Sequence, residues 1–175
     1  MLHTYVALLR AVNVGTTWIK MAELCELLSS LGFQNVQTYI QSGNVILSSK
    51  DSSAKCGEAI AFLLEDRLNI PICGVLKNAK ELATIVADNP GIDQTKLHIT
   101  FLTEKPAKSA LTRLGAIKAG EDQFHASGSV IYLHCPNGYG RTKLSNAAIE
   151  RALGVRATTR NWKTVSELVR MVEAI

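Results

Sequence analysis

Aromatic residues make up only 6% of the 175 residues, and that shortage closes off one mode of binding at the start. The β-prone run 44–48 contains none, which leaves only Tyr5 and Tyr132 for the central strands, so RNA recognition by an aromatic sheet face is not expected. Cysteines are also few. Cys25, Cys56, Cys73 and Cys135 stand too far apart to form a metal knuckle or a redox pair, and buried free thiols in a reducing cytosol are the expectation. No basic region leads into a long apolar run, since Arg10 interrupts the run that begins at Val6, so neither export nor a membrane span is predicted and a cytoplasmic location is expected. The glycines do not fit the P-loop spacing, and nucleotide hydrolysis gains no support from them.

What is present is enough for a core. At 47% hydrophobic content, a chain of this size makes one or two domains and buries roughly 70% of its unfolded surface. The formal net charge of +4 is uneven: residues 1–135 hold 12 basic and 12 acidic side chains, and the last 40 hold seven basic against three acidic. That excess fits either ordinary surface variation or an anion-facing C-terminal lobe.

Residues 4–9 read as a central strand, apolar on both faces. A helix over 21–31 places Leu24, Leu27, Leu28 and Leu31 at helical spacing, with Gly32 as its stop. Residues 36–41 and 44–48 form a hairpin, with Ser42-Gly43 as a two-residue loop. A second helix spans 53–68 on Ala59, Ile60, Leu63 and Leu64, and a strand over 72–76 follows Pro71. The order βαββαβ is that of a ferredoxin-like plait, an antiparallel four-stranded sheet with two helices on one face.

The order then repeats. Asn78 and Glu81 form a capping pattern for a connecting helix, which ends at Asp88-Asn89-Pro90-Gly91. A strand over 97–102, a short helix from Pro106 to about Gly115, a hairpin of 123–126 and 130–135, a helix over 145–153 and a strand over 157–159 make a second βαββαβ. Thr164 and Glu167 form a capping box for a last helix on Val165, Leu168, Val169 and Val172. The fold class is therefore α+β, with lobes at 1–90 and 91–175. Because the first strand is apolar on both sides, something should cover its open face, and the other lobe is the economical candidate. Loops of both lobes would then meet in a cleft.

Leu8-Leu9-Arg10-Ala11-Val12-Asn13-Val14-Gly15, Thr38 to Val45 (TYIQSGNV), Asn137 to Leu144 (NGYGRTKL) and Thr159-Arg160-Asn161-Trp162 together resemble the signatures of a bacterial family, domain-of-unknown-function family 1697. The resemblance spans nearly the whole chain. It implies two ferredoxin-like lobes and no established activity. Ala11 stands where the family commonly has Gly, and Thr16 where a second Gly is common.

Two segments carry the candidate chemistry of the C-terminal lobe. Residues 137–143 join a strand to a helix and combine two glycines with Tyr139, Arg141 and Lys143, the ingredients of an anion site. Against that stands plain turn formation with solvated cations. Arg160, Asn161 and Trp162 offer a guanidinium fork, an amide and a plane for stacking a base, or else a core anchor for the last helix. In the first lobe Arg10, Asn13, Ser42 and Asn44 end neighbouring elements, where Asn and Ser also serve as local turn caps. His98 and His134 lie on strands that neighbour each other in a plait, but no third ligand of good spacing exists, so no metal or other cofactor is expected. Ser42 lacks the strand-to-helix setting of a nucleophile elbow. The leading reading is a protein that binds a phosphorylated small molecule or nucleic acid in a basic cleft between the lobes. An enzyme acting on an anionic metabolite is the alternative; without a general base in the four motifs it would work by positioning and electrostatics. A protein-interaction module, dimerising through sheet edges, is the third.

Overall fold

The structure, a computed structural model, describes residues 1–69 and 74–175. Its contacts divide the chain into two units, Met1–Ala83 with Glu167–Ile175, and Thr84–Ser166. The class is α+β: each unit holds a four-stranded antiparallel sheet, and the described residues include six α-helices.

In the first unit β1 (His3–Leu9) pairs with both β3 (Asn44–Ser49) and β4 (Gly74–Asn78), while β2 (Gln34–Tyr39) lies outside β3, giving the order β2-β3-β1-β4. Alternation along β1 sends Tyr5, Ala7 and Leu9 into one hydrophobic cluster with α1 (Met21–Ser30) and α2 (Ser53–Leu68). The helices meet it with residues four apart, Leu24 and Leu28 from α1, Cys56, Ile60 and Leu64 from α2. Full burial of a leucine in such a cluster contributes about 1.5–3 kcal/mol. On the other face of the sheet Val6, Leu8, Ile46, Asn44 and Ser48 are fully buried as well, in keeping with a central strand that is apolar on both sides.

The connecting helix α3 (Ala79–Ala87) is capped as its sequence predicts. The Asn78 side chain accepts from the Glu81 N–H, and the Glu81 carboxylate accepts from the Asn78 N–H, both at 2.9 Å. The second unit then repeats the strand arrangement with β5 (Leu97–Leu102), β6 (Gln123–Ser127), β7 (Val130–His134) and β8 (Ala157–Asn161) in the order β6-β7-β5-β8. Its core joins Leu102, Ile131, Leu133 and Ala157 to Ala110 and Leu114 of α4 (Lys108–Gly115) and to Ile149 and Leu153 of α5 (Asn146–Leu153).

Several local expectations are corrected. The β2–β3 connection has four residues rather than two, because Tyr39 pairs with Asn44 and the chain reverses through 40–43, with Ile40 at φ 50° and Gly43 at φ 79°. In the second unit the β6–β7 loop shortens to Gly128-Ser129, since Ser127 itself pairs with Val130. Helix α4 starts two residues after Pro106, at Lys108. The last helix, α6 (Trp162–Glu173), follows β8 directly; the Asn161 side chain accepts from the Thr164 N–H at 2.8 Å, while Glu167 pairs with Arg170 instead of closing a box with Thr164. Of the strand expected over 72–76, the first two residues lie outside the described residues.

Candidate functional site

In the first unit the structure gathers three of the four predicted polar residues and uses them to brace two loops. The Asn13 amide donates to the Gln41 carbonyl at 2.9 Å, and its oxygen accepts from the Ile19 N–H at 2.8 Å. One side chain thereby ties the loop after β1 to the β2–β3 loop. Asn44, fully buried, donates to the Tyr39 carbonyl at 3.1 Å and to the Ser42 hydroxyl at 2.9 Å. Gly43 completes the junction by accepting from the Leu9 N–H at 2.8 Å. Arg10 sits half-buried where β1 ends. Ala11 takes φ 67° and Asn13 φ 55°, so the alanine occupies the left-handed backbone that a glycine would adopt without strain.

In the second unit the predicted residues divide. Residues 137–143 leave β7 through Gly138 at φ 89°, make one 3₁₀ turn at Tyr139–Arg141 and lead to Ser145, whose hydroxyl accepts from the Ala148 N–H to cap α5. Arg141 and Lys143 project from this connection, both exposed, and neither pairs with a carboxylate among the described residues. Tyr139 instead turns inward and stacks on His98, ring centroids 4.9 Å apart. Arg160 is partly buried on β8, where its guanidinium donates to the Thr158 hydroxyl at 2.9 Å and to the Thr159 carbonyl at 3.0 Å. Burial pulls that guanidinium down to about 10, with the Tyr139 phenol opposing, and it stays charged at neutral pH. Asn161 is spent on the α6 cap, and Trp162 is the half-buried first residue of that helix.

The strand register decides against a histidine pair. His98 pairs with Leu133, whereas His134 pairs with Leu97, so alternation turns the two imidazoles to opposite faces of the sheet. His98 has a different use, as the ring against Tyr139. Burial lowers its pKa, with the nearby Lys96 backbone opposing. A histidine with a depressed folded-state value lends stability that is full above its unfolded value, near 6.5, and declines as pH falls below it. His98→Phe keeps a ring for Tyr139 and removes the proton. The expected result is a melting temperature that falls less than wild type between about pH 7.5 and about pH 5.5; equal slopes would show that other groups carry the pH dependence.

The clefts among the described residues include two within the second unit. One, of about 560 Å³, is lined by Pro90, Gly91, Asp93, Gln123, His125 and His134. The other, of about 640 Å³, is lined by Lys118, Gly120, Asp122, Phe124 and Leu144 among others. None of the residues singled out from the sequence as binding residues lines either. Among the described residues no three His, Cys, Asp or Glu side chains group to hold a metal ion. No helix among them is long and apolar enough to cross a membrane.

Trp18 was not legible as a site residue. The residue is 65% exposed, and its indole N–H donates to the Gly15 carbonyl at 2.8 Å. The available signal was its position in a loop, outside any helical or alternating apolar pattern.

Comparison with known proteins agrees with this architecture and adds no activity. A conserved bacterial protein from Streptococcus pneumoniae has a similar structure, with a TM-score of 0.79 and 21% sequence identity over 99% of each chain. At that identity the likeness speaks for the fold alone. No curated protein matches the chain. The profile of the family described as "Protein of unknown function (DUF1697)" matches residues 2–132, a span that takes in the β1 loop and the β2–β3 loop and ends before residues 137–143 and 159–162. With three quarters of its length matched, the chain belongs to that family.

Proposed function

We propose that the chain binds an anionic ligand, a phosphorylated small molecule or a nucleic acid, on its second unit at residues 137–143. The observation that carries this reading is the pair of exposed cations, Arg141 and Lys143, unmatched by carboxylate among the described residues. They precede α5, whose first turn contains no acidic residue to offset the partial positive charge of its N-terminus. Arg160 takes no part in this reading, because its Nη1 is committed to Thr158 and Thr159 on β8. We read each unit as a ferredoxin-like plait, supported by the matching orders β2-β3-β1-β4 and β6-β7-β5-β8. The setting we infer is the bacterial cytoplasm, in keeping with the free thiols of Cys25, Cys56 and Cys135.

A thermal-shift screen with inorganic phosphate, nucleotides, sugar phosphates and short RNA tests the reading, because a ligand that binds only the native state raises the midpoint. The expected outcome is a rise that shrinks at high salt and disappears in an Arg141→Ala/Lys143→Ala variant, while Arg160→Ala lowers the midpoint of the free protein. Absence of any shift with every anion would end the proposal.

A further inference from the structure

The first unit carries an exposed patch that none of these roles uses. Trp18 is 65% exposed, Val14 67% and Ile40 51%. They come from two different loops, yet Asn13 holds those loops together through Ile19, next to Trp18, and Gln41, next to Ile40. Ile40 keeps its side chain in solvent while its backbone sits at φ 50°, an uncommon and strained conformation for a β-branched residue.

The chemistry around the patch is one-sided. Residues 1–22 contain Arg10 and Lys20 and no carboxylate, and residues 27–49 contain no Asp, Glu, Lys or Arg. Lys20 is exposed two residues from Trp18. Of the carboxylates that follow Lys20 on α1, Glu23 pairs with Arg67 at 2.7 Å and Glu26 is exposed. The indole N–H is already satisfied by Gly15, so what the ring offers a partner is its face rather than a donor. A largely exposed π-face in a loop, with an exposed lysine two residues away, is a combination that stacks a base while attracting a phosphate backbone.

We infer that Trp18, with Val14, Ile40 and Lys20, is a stacking platform for single-stranded nucleic acid. The platform belongs to the first unit and does not depend on the second-unit anion site. The stacked base supplies a planar surface, Val14 and Ile40 supply apolar contact, and Lys20 and Arg10 supply positive potential for the backbone. An open ring face in a loop suits a strand laid across it.

The test titrates the full chain with short fluorescent uridine and thymidine oligonucleotides, following anisotropy and quenching of tryptophan emission in a Trp162→Phe background. Binding should quench Trp18 and weaken with rising salt. Trp18→Leu, which keeps apolar bulk and removes the plane, should weaken binding by roughly five- to a hundred-fold, the range for loss of one stacked base. Trp18→Phe should retain part of the affinity, and Lys20→Ala should lower the salt dependence. Phe62→Ala, at a 77% exposed aromatic on α2, is the control and should change nothing. Thermal midpoints of all variants confirm that each is folded. The inference is overturned if no oligonucleotide binds at low salt, or if binding is indifferent to Trp18→Leu. Loss only in Arg141→Ala/Lys143→Ala would likewise overturn it and leave the second-unit reading standing. Concentration-dependent self-association that Trp18→Leu abolishes, with no oligonucleotide binding, would assign the patch to a protein contact instead.

Discussion

Gly43→Val is expected to destabilise the first unit by about 2–5 kcal/mol, the sum of left-handed backbone strain and overpacking. Gly43 holds φ 79°, and a Cβ placed there would lie 3.0 Å from the Leu9 Cβ, 3.0 Å from the Leu9 carbonyl oxygen and 3.1 Å from the Val12 Cβ. Two of those neighbours are fixed by β1 itself, because the Leu9 N–H donates to the Gly43 carbonyl. The clash therefore cannot be relieved by turning the end of a flexible side chain. A fall in Tm of roughly 5–15 °C follows for a chain of this size. Gly32→Ala separates the two causes: Gly32 has φ 86° with nothing within 4 Å of an added Cβ, so it should lose only the conformational part, about 1 kcal/mol. Equal losses at the two positions in denaturant titrations would show that the close approach at Gly43 contributes nothing.

Asn44→Ala should cost about 2–4 kcal/mol, for two reasons that act together. The amide is fully buried and donates to both the Tyr39 carbonyl and the Ser42 hydroxyl, so its removal takes a donor from each inside the fold. It also leaves a small void next to Ile46 and Leu8, which are themselves fully buried. Ser42→Ala removes one partner and leaves the Tyr39 bond in place, and a loss below about 1 kcal/mol is expected there. Urea unfolding of the two variants is the direct comparison. An Asn44→Ala protein within about 1 kcal/mol of wild type would mean that the four-residue reversal stands without its buried amide.

Both predictions concern residues that, read as a motif, invite a functional interpretation. The motif TYIQSGNV has polar groups packed densely at a strand reversal, and sequence has no means of telling a braced loop from a binding loop. The structure separates them by direction. Asn44 and Asn13 point their amides at backbone carbonyls, whereas Ile40 of the same motif and Trp18, which no pattern singled out, are exposed. In the second unit the same sorting keeps Arg141 and Lys143 in solvent and commits Arg160 and Asn161 to β8 and the α6 cap. The hairpin loop was misjudged by two residues for a related reason. Gly is the strongest local marker of a reversal, yet the pairing of Tyr39 with Asn44 is decided by a buried side chain that bonds across the loop.

The sequence by itself determined the order of elements and most of their ends, because those depend on interactions within a few residues. Residues 53–68 and 97–102 begin and end as their apolar periodicity indicates, and the Asn78–Glu81 box forms as written. Family membership was legible as well, and the matched span of residues 2–132 takes in two of the four motif strings. Tertiary structure alone decided which side chains face which way. Whether His98 meets His134 or Tyr139 depends on the register of β5 with β7, and a shift of one residue reverses the face of every side chain on a strand. Register is set by contacts between residues far apart in the chain, among them Asn13 with Gln41 and Thr100 with Thr159. Those contacts have no signature in the neighbouring residues, so the candidate sites could be assigned only once the strands were paired.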